Sequence, residues 1–150
     1  MTAPLSVRAT NMGGSTFAID SGSQHRIILS SNEDDQGPSP METLLSTLAG
    51  CAGIGILSIL RKMRQDVTSY EIQVHGERAD EHPKVFTSIT VEHIFTGTNL
   101  RPESIQRAIT LDTTQFCGVN IMLGKSASIT HTFQIREVST EESATLPAEH

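Results

Sequence analysis

One apolar stretch in the middle of the chain limits the folds open to it. From Met41 to Leu60 the only charged residue is Glu42, and apolar side chains cover nearly the whole circumference of a helix. Ser39 stands where it can cap this helix, Pro40 suits its first turn, and Glu42 is placed to close a capping box. The pattern predicts a long helix that is buried on all sides.

The length of this stretch also fits a transmembrane span, with Arg61 and Lys62 as a positive flank. Gly50, Gly53 and Gly55 dilute its apolar character, and we favour a core helix and no membrane association. Each glycine costs the helix about 1 kcal/mol relative to alanine. The glycines therefore indicate either close packing against another element, such as a second helix at Cys51, or a kink or early end of the helix, and the residues alone leave both open.

Strand-like alternation of apolar and polar residues lies on both sides of the helix. We predict an antiparallel meander before it and a hairpin over residues 70–96 after it, in which His93 shares a face with apolar neighbours. Two helical segments follow, one opening near Pro102 and one over Thr113–Lys125, before a last strand around residues 129–135. This order of elements predicts an α+β fold.

The composition bounds the size and setting of the protein. The 150 residues fit one domain, which we place at residues 1–138, and the polar segment 139–150 has too little apolar surface to pack and is expected to be disordered. A net charge of -6 without a basic run argues against binding to nucleic acid. The first residues lack the pattern of a secretory signal, so we expect a cytoplasmic, reducing setting.

Two cysteines are the residues most capable of chemistry. Cys51 lies in the apolar helix and Cys117 follows 66 positions later. They fit either two small buried apolar residues or a redox pair, and the spacing alone does not decide between them. Glu42 precedes Cys51 by nine residues, which on a straight helix is a different face. The six histidines show no metal-ligand spacing, so no metal or bound cofactor is expected.

Particular motifs in the chain resemble those of a known family. The segment GPSPMETLL at residues 37–45, the Ala-Gly-Cys that ends at Cys51, and Phe116-Cys117 closely resemble the OsmC/Ohr family of osmotically inducible and organic-hydroperoxide-resistance proteins. The resemblance runs from about residue 5 to residue 136 and is closest to the YhfA-like branch.

This resemblance implies a fold and a chemistry. It implies an OsmC-like fold in which antiparallel sheets wrap around long central helices, formed as an intertwined homodimer with active sites between the subunits. It also implies a thiol peroxidase: Cys51 attacks an organic hydroperoxide and becomes a sulfenic acid, Cys117 resolves it to a disulfide, and an external dithiol reductant restores both thiols. The implied role is in the response to oxidative stress, with Glu42 as a further catalytic residue.

The sequence departs from the family pattern at two places. The peroxidases carry an activating arginine directly after the N-terminal Gly-Gly turn, where this chain has Ser15, so Arg26 or Arg8 would have to replace it. Glu42 is displaced by one position from the family's glutamate, about 100° around a helix, which favours a capping role as much as a catalytic one. These departures favour an alternative: a non-catalytic dimer of the same fold that binds a small hydrophobic ligand or acts as a redox sensor. A structural subunit for a partner protein is a third interpretation.

Overall fold

The computed structural model describes residues 2–138, and the predicted disordered tail lies outside this range. The chain forms two compact units that divide between Ser46 and Thr47. The assignment of residues 1–138 to a single domain stays a prediction.

The first unit contains the predicted antiparallel meander. Gly13 and Gly14 make the turn between its first two strands with φ angles of 115° and 53°, a backbone region that favours glycine. Asn11 secures this turn, because its side-chain amide donates to the Gly14 carbonyl at 3.0 Å. The strands are β1 (Val7–Gly13), β2 (Thr16–Ser21) and β3 (Arg26–Ser30).

The long helix α1 (Pro40–Lys62) begins as the sequence predicts. The Ser39 backbone N–H donates to Glu42 Oε2 at 2.8 Å, and the Glu42 N–H donates to Ser39 Oγ at 3.3 Å. This reciprocal pair is a capping box, which satisfies two N–H groups that the first turn leaves without partners. The helix is continuous through its glycines, so the early end considered above does not occur.

The burial of α1 differs from the prediction of a helix buried on all sides. Within one chain only a single stripe is fully covered, and Ile54 on another face is 77% exposed. The spacing of four residues places the stripe on one helix face, as in an ordinary amphipathic helix. By length and hydropathy α1 passes as a membrane span, a test that core helices also pass. The stripe consists of Leu48, Ala52, Ile56 and Leu60.

The second unit contains a three-stranded sheet in the order β4-β5-β6. The first two strands form the predicted antiparallel hairpin, with Tyr70 opposite Phe95. The last strand pairs with β5 in parallel, with Phe95 opposite Ile135, because the intervening crossover returns the chain to the same end of the sheet. The α+β prediction is confirmed, with one parallel pairing that sequence reasoning did not anticipate. The strands are β4 (Asp66–Arg78), β5 (Phe86–Thr98) and β6 (Ser128–Glu137).

The crossover differs from the predicted pair of helices. Helix α2 (Pro102–Leu111) forms as expected, but the segment predicted as one helix over Thr113–Lys125 is interrupted at Cys117. A π-helical turn over Asp112–Phe116 comes first, Cys117 takes an extended conformation with φ -80° and ψ 96°, and helix α3 (Gly118–Leu123) follows. This break fixes the position of Cys117, as described below.

The core of the second unit is formed by α1, α2 and β5. Phe95 and Ile105 are fully buried in it, and Cys117 belongs to the same cluster. A thiol carried by the crossover thus lies inside the hydrophobic core.

Candidate active site

The fold brings the two cysteines together. Cys51 on α1 is partly exposed, whereas Cys117 is 1% exposed, and neither forms a disulfide. The Cys117 thiol hydrogen-bonds to Cys51. Cys51 and Cys117, which the sequence leaves open as either two small buried apolar residues or a redox pair, are therefore in direct contact.

Two backbone contacts hold Cys117 between the π-helical turn and α3. Its N–H donates to the Asp112 carbonyl at 2.7 Å, which closes the wide turn. Its sulfur accepts the Asn120 backbone N–H at 3.4 Å, so the side chain caps the first turn of α3. The thiol is thus held by the chain on both sides of it.

The environment of Cys117 keeps it protonated. Burial is the main cause that raises the pKa of the Cys117 thiol to about 12, and the hydrogen bond to Cys51 acts in the same direction. The N–H from Asn120 opposes this shift without cancelling it. Cys117 is therefore a thiol at rest, which suits a residue that reacts second.

A series of hydrogen bonds leads from Asn120 across the sheet. We call Tyr70, His93, His131 and Asn120 the side-chain relay. His131 Nε2 lies 2.8 Å from Asn120 Oδ1, His93 Nε2 lies 2.9 Å from His131 Nδ1, and the Tyr70 hydroxyl lies 2.6 Å from His93 Nδ1. One side chain from each of β4, β5 and β6 thus connects to Asn120, whose backbone N–H donates to the Cys117 sulfur.

The chemistry of these groups fixes the direction of every bond in the relay. Asn120 Nδ2 donates to the Thr113 carbonyl at 3.1 Å, so Asn120 Oδ1 accepts from His131. A neutral imidazole has one donor and one acceptor, so His93 donates to His131 and Tyr70 donates to His93. The relay is fully satisfied when both histidines are neutral.

Burial favours these uncharged forms. It lowers the pKa of His93 to about 4, with a smaller effect from His131, and it also lowers the pKa of His131. Burial and the charge of Asp112 raise the pKa of Tyr70. The tyrosine ring stacks on Phe95 with a centroid separation of 4.3 Å, which places the relay against the core.

Asp112 is a buried carboxylate beside the cysteines. The residue is 1% exposed, and its Oδ2 has no hydrogen-bond partner among residues 2–138. Its Oδ1 lies against Gly55, where a Cβ atom would overlap it. Gly53 similarly meets Ile72 and Tyr70 of β4. Within one chain these glycines therefore pack against a strand and a carboxylate.

The other candidate residues lie in the first unit. Glu42 serves in the capping box, and the Ser39 backbone N–H lowers the pKa of its carboxyl group. Arg26 binds Asp20 through two hydrogen bonds of 2.7 and 2.9 Å. The Ser15 backbone N–H donates to the Asp34 carboxylate. Arg26, proposed above as a replacement for the missing arginine, is thus engaged by a carboxylate of its own unit.

Sequence reasoning missed most of the surroundings of the cysteines. Asp112, Asn120 and Tyr70 carried no signal of their own, because strand register and the break at Cys117 bring them into place. His93 did carry a sequence signal, because a histidine on the apolar face of a strand needs a hydrogen-bond partner when it is buried. Among residues 2–138 there is no group of three or more His, Cys, Asp or Glu side chains arranged to hold a metal ion.

The fold and the paired thiols define a class: α+β proteins in which a cysteine on a long helix meets a second cysteine from a crossover. A family model described as OsmC-like protein matches residues 33–132. The chain is also 38% identical over 131 residues to Protein YhfA of Escherichia coli strain K12, covering 87% of this chain and 98% of that protein. The chain belongs to the OsmC-like family, as its motifs predict.

Solved structures agree on the fold. The OsmC-like protein from Mycoplasma pneumoniae has a TM-score of 0.78 at 18% identity, covering 90% of this chain and 99% of that one. The organic hydroperoxide resistance protein OhrB of Bacillus subtilis has a TM-score of 0.61 at 15% identity, covering 88% and 98%. At such identities the likeness is evidence for the fold alone, and it confirms the OsmC-like architecture.

Proposed function

We propose that the protein is a cytoplasmic thiol peroxidase that reduces organic hydroperoxides in the response to oxidative stress. The observation that carries this proposal is the contact between the Cys51 and Cys117 thiols. Membership of a family whose solved structures include organic hydroperoxide resistance proteins supports the choice of substrate. The apolar surroundings of the pair suit an organic peroxide better than hydrogen peroxide.

The burial of each cysteine supports the role that we propose for it. Cys51 is partly exposed and reacts first: its thiolate attacks the peroxide O–O bond, which breaks to give a Cys51 sulfenic acid and an alcohol. Buried Cys117 then attacks the Cys51 sulfur, forming a disulfide and releasing water. An external dithiol reduces this disulfide by exchange, so no bound cofactor is required.

The active form in this proposal is a homodimer. Three large apolar residues of the second unit are strongly exposed in a single chain: Ile54 at 77%, Phe116 at 66% and Met122 at 64%. Phe116 directly precedes Cys117, and Ile54 follows Cys51 by three residues. A second copy would cover such exposed apolar side chains. Light scattering at micromolar concentration should give the mass of a dimer, and a monomeric mass would contradict this part of the proposal.

A single-turnover experiment tests the proposed chemistry. The reduced protein is exposed briefly to stoichiometric cumene hydroperoxide, and non-reducing mass spectrometry follows the thiols. A Cys51–Cys117 disulfide should form much faster than a simple thiol oxidises under the same conditions.

Two matched variants separate the roles of the cysteines. Cys51→Ser should abolish peroxide consumption because it removes the attacking sulfur. Cys117→Ser should permit one oxidation and leave Cys51 as a sulfenic or overoxidised acid. Equal residual turnover in both variants would contradict the assignment.

A second candidate function is supported by the first unit. Arg26 is bound to Asp20, and an apolar pocket of about 400 Å³ is lined by Phe17, Ile19 and Leu29 among others. This favours a non-catalytic dimer that binds a small hydrophobic ligand or senses redox state. If both thiols stay reduced in the cumene hydroperoxide experiment, the ligand-binding form of this alternative replaces the peroxidase.

A further inference from the structure

Asp112 is the one fully buried carboxylate that the proposed chemistry leaves without a role among residues 2–138. It is 1% exposed, and its Oδ2 has no partner in that range. A buried carboxylate without compensating hydrogen bonds is destabilising, and such groups are concentrated at functional sites. Burial raises the pKa of Asp112 to about 6, close to neutrality.

The position of Asp112 relates it to both cysteines. Its carboxyl group occupies the space beside Gly55, which follows Cys51 by four residues and therefore lies on the same face of α1, one turn further on. Its main-chain carbonyl accepts the Cys117 N–H at 2.7 Å. Its charge also acts on the Cys117 thiol, where it disfavours the thiolate.

The resolving step requires a base at this place. With a pKa of about 12, the thiolate of Cys117 amounts at pH 7.5 to only on the order of one molecule in 10⁴ to 10⁵. A base that takes the proton while the new bond forms avoids this rare species, which is general base catalysis.

Of the titratable groups around the thiol, Asp112 is the suitable acceptor. Cys51 is the group under attack, and the raised pKa of Tyr70 keeps its hydroxyl protonated. His93 and His131 use both ring nitrogens within the side-chain relay.

We propose that the Asp112 carboxylate accepts the thiol proton of Cys117 during disulfide formation, an inference that rests on the proposed peroxidase function. As the Cys117 sulfur attacks Cys51, the S–S bond forms and the S–O bond of the sulfenic acid breaks. The proton passes from Cys117 to Asp112 and then to the departing hydroxide, which leaves as water. Cys51 sulfur is reduced and Cys117 sulfur is oxidised, and Asp112 ends the step as the carboxylate it began as.

The test measures the two steps of a single turnover separately in the full-length protein. A sulfenic acid trap reports Cys51 oxidation by cumene hydroperoxide, and quenched mass spectrometry reports the disulfide. In Asp112→Asn the ratio of the disulfide-forming rate to the oxidation rate should fall by about 100-fold, a usual contribution of a general base. Asp80→Asn, the same change at an exposed loop position, should keep the wild-type ratio.

The pH profile of wild-type disulfide formation provides a measurement that needs no variant. With Asp112 as the base, the rate should rise about tenfold per pH unit below pH 6 and become level above it, following the pKa of about 6 of this group. A rate that continues to rise to pH 9 would mean that free Cys117 thiolate reacts, and it would overturn the inference. An unchanged ratio of the disulfide-forming rate to the oxidation rate in Asp112→Asn would also overturn the inference.

The two proposals fail in different ways. If the wild-type protein forms no sulfenic acid with the peroxide, the peroxidase function itself fails. If it forms both sulfenic acid and disulfide while the pH profile has no plateau, only the role of Asp112 fails.

Discussion

The buried histidine of the side-chain relay makes the stability of the fold depend on pH. The pKa of His93 is lowered from 6.5 to about 4 in the folded protein. Below pH 6.5 the unfolded chain binds a proton at this residue, whereas the folded chain does so only near pH 4. Acid therefore favours unfolding, and the contribution of neutral His93, complete above pH 6.5, is lost as pH falls toward 4.

The size of this effect follows from the same shift. Integrating proton binding between pH 7.5 and pH 5 gives a loss of about 2 kcal/mol in the free energy of unfolding. That is a sizeable part of the about 5–15 kcal/mol that stabilises a typical domain. Because His131 is shifted in the same direction, its protonation adds to the loss.

Urea denaturation at several pH values, at one fixed protein concentration, measures this slope. His93→Gln should lower the free energy of unfolding at every pH. The informative quantity is the loss of that free energy between pH 7.5 and pH 5, which should be smaller in His93→Gln than in wild type by about 2 kcal/mol. His75→Gln on the neighbouring strand β4 removes an exposed histidine and should keep the wild-type slope. An unchanged slope in His93→Gln would refute the assignment of a neutral, buried His93.

Two further predictions concern the space between α1 and the crossover. Gly55→Ala should lower the free energy of unfolding by about 1–3 kcal/mol because the new methyl group overlaps Asp112. The matched control is Gly50→Ala, whose methyl group meets open space and should cause no such loss. Urea denaturation of both variants measures the difference. Asp112→Asn should raise the free energy of unfolding at pH 8 by about 1–3 kcal/mol, because burial raises the pKa of this carboxyl and makes its charged form unfavourable in the fold. The gain should shrink as the pH falls through 6 and disappear only below about pH 3.8, where the carboxyl is protonated in both the folded and the unfolded chain. A gain that is larger at pH 4.5 than at pH 8 would contradict this reasoning.

Local sequence signals predicted those helices and strands that are formed by interactions between residues close together in the sequence. The capping box at Ser39 and Glu42 depends on three residues of spacing, and the hairpin depends on alternation along each strand. The contact between Cys51 and Cys117 was expected only through the family resemblance, because no local rule connects residues 66 positions apart. These parts of the fold and site were within reach of the sequence.

The missed features share a non-local origin. The break at Cys117 depends on two hydrogen bonds: the Cys117 N–H donates to the Asp112 carbonyl, and the Cys117 sulfur caps α3. The apolar pattern alone favoured one continuous helix. The side-chain relay depends on the register of three strands, one of them parallel. The predicted all-round burial of α1 failed in a single chain because composition shows that a face is apolar but not what covers it.

The parallel pairing of β6 with β5 sets the order in which the site is built during synthesis. The whole crossover, including Cys117, has to be made before β6 can add to the sheet, and closing such a long connection is slow. His131 lies on β6, so the hydrogen bond that holds Asn120 in place arises only after that strand has left the ribosome. The nascent chain therefore carries Cys51 for some 80 residues of synthesis before the environment of its partner is complete.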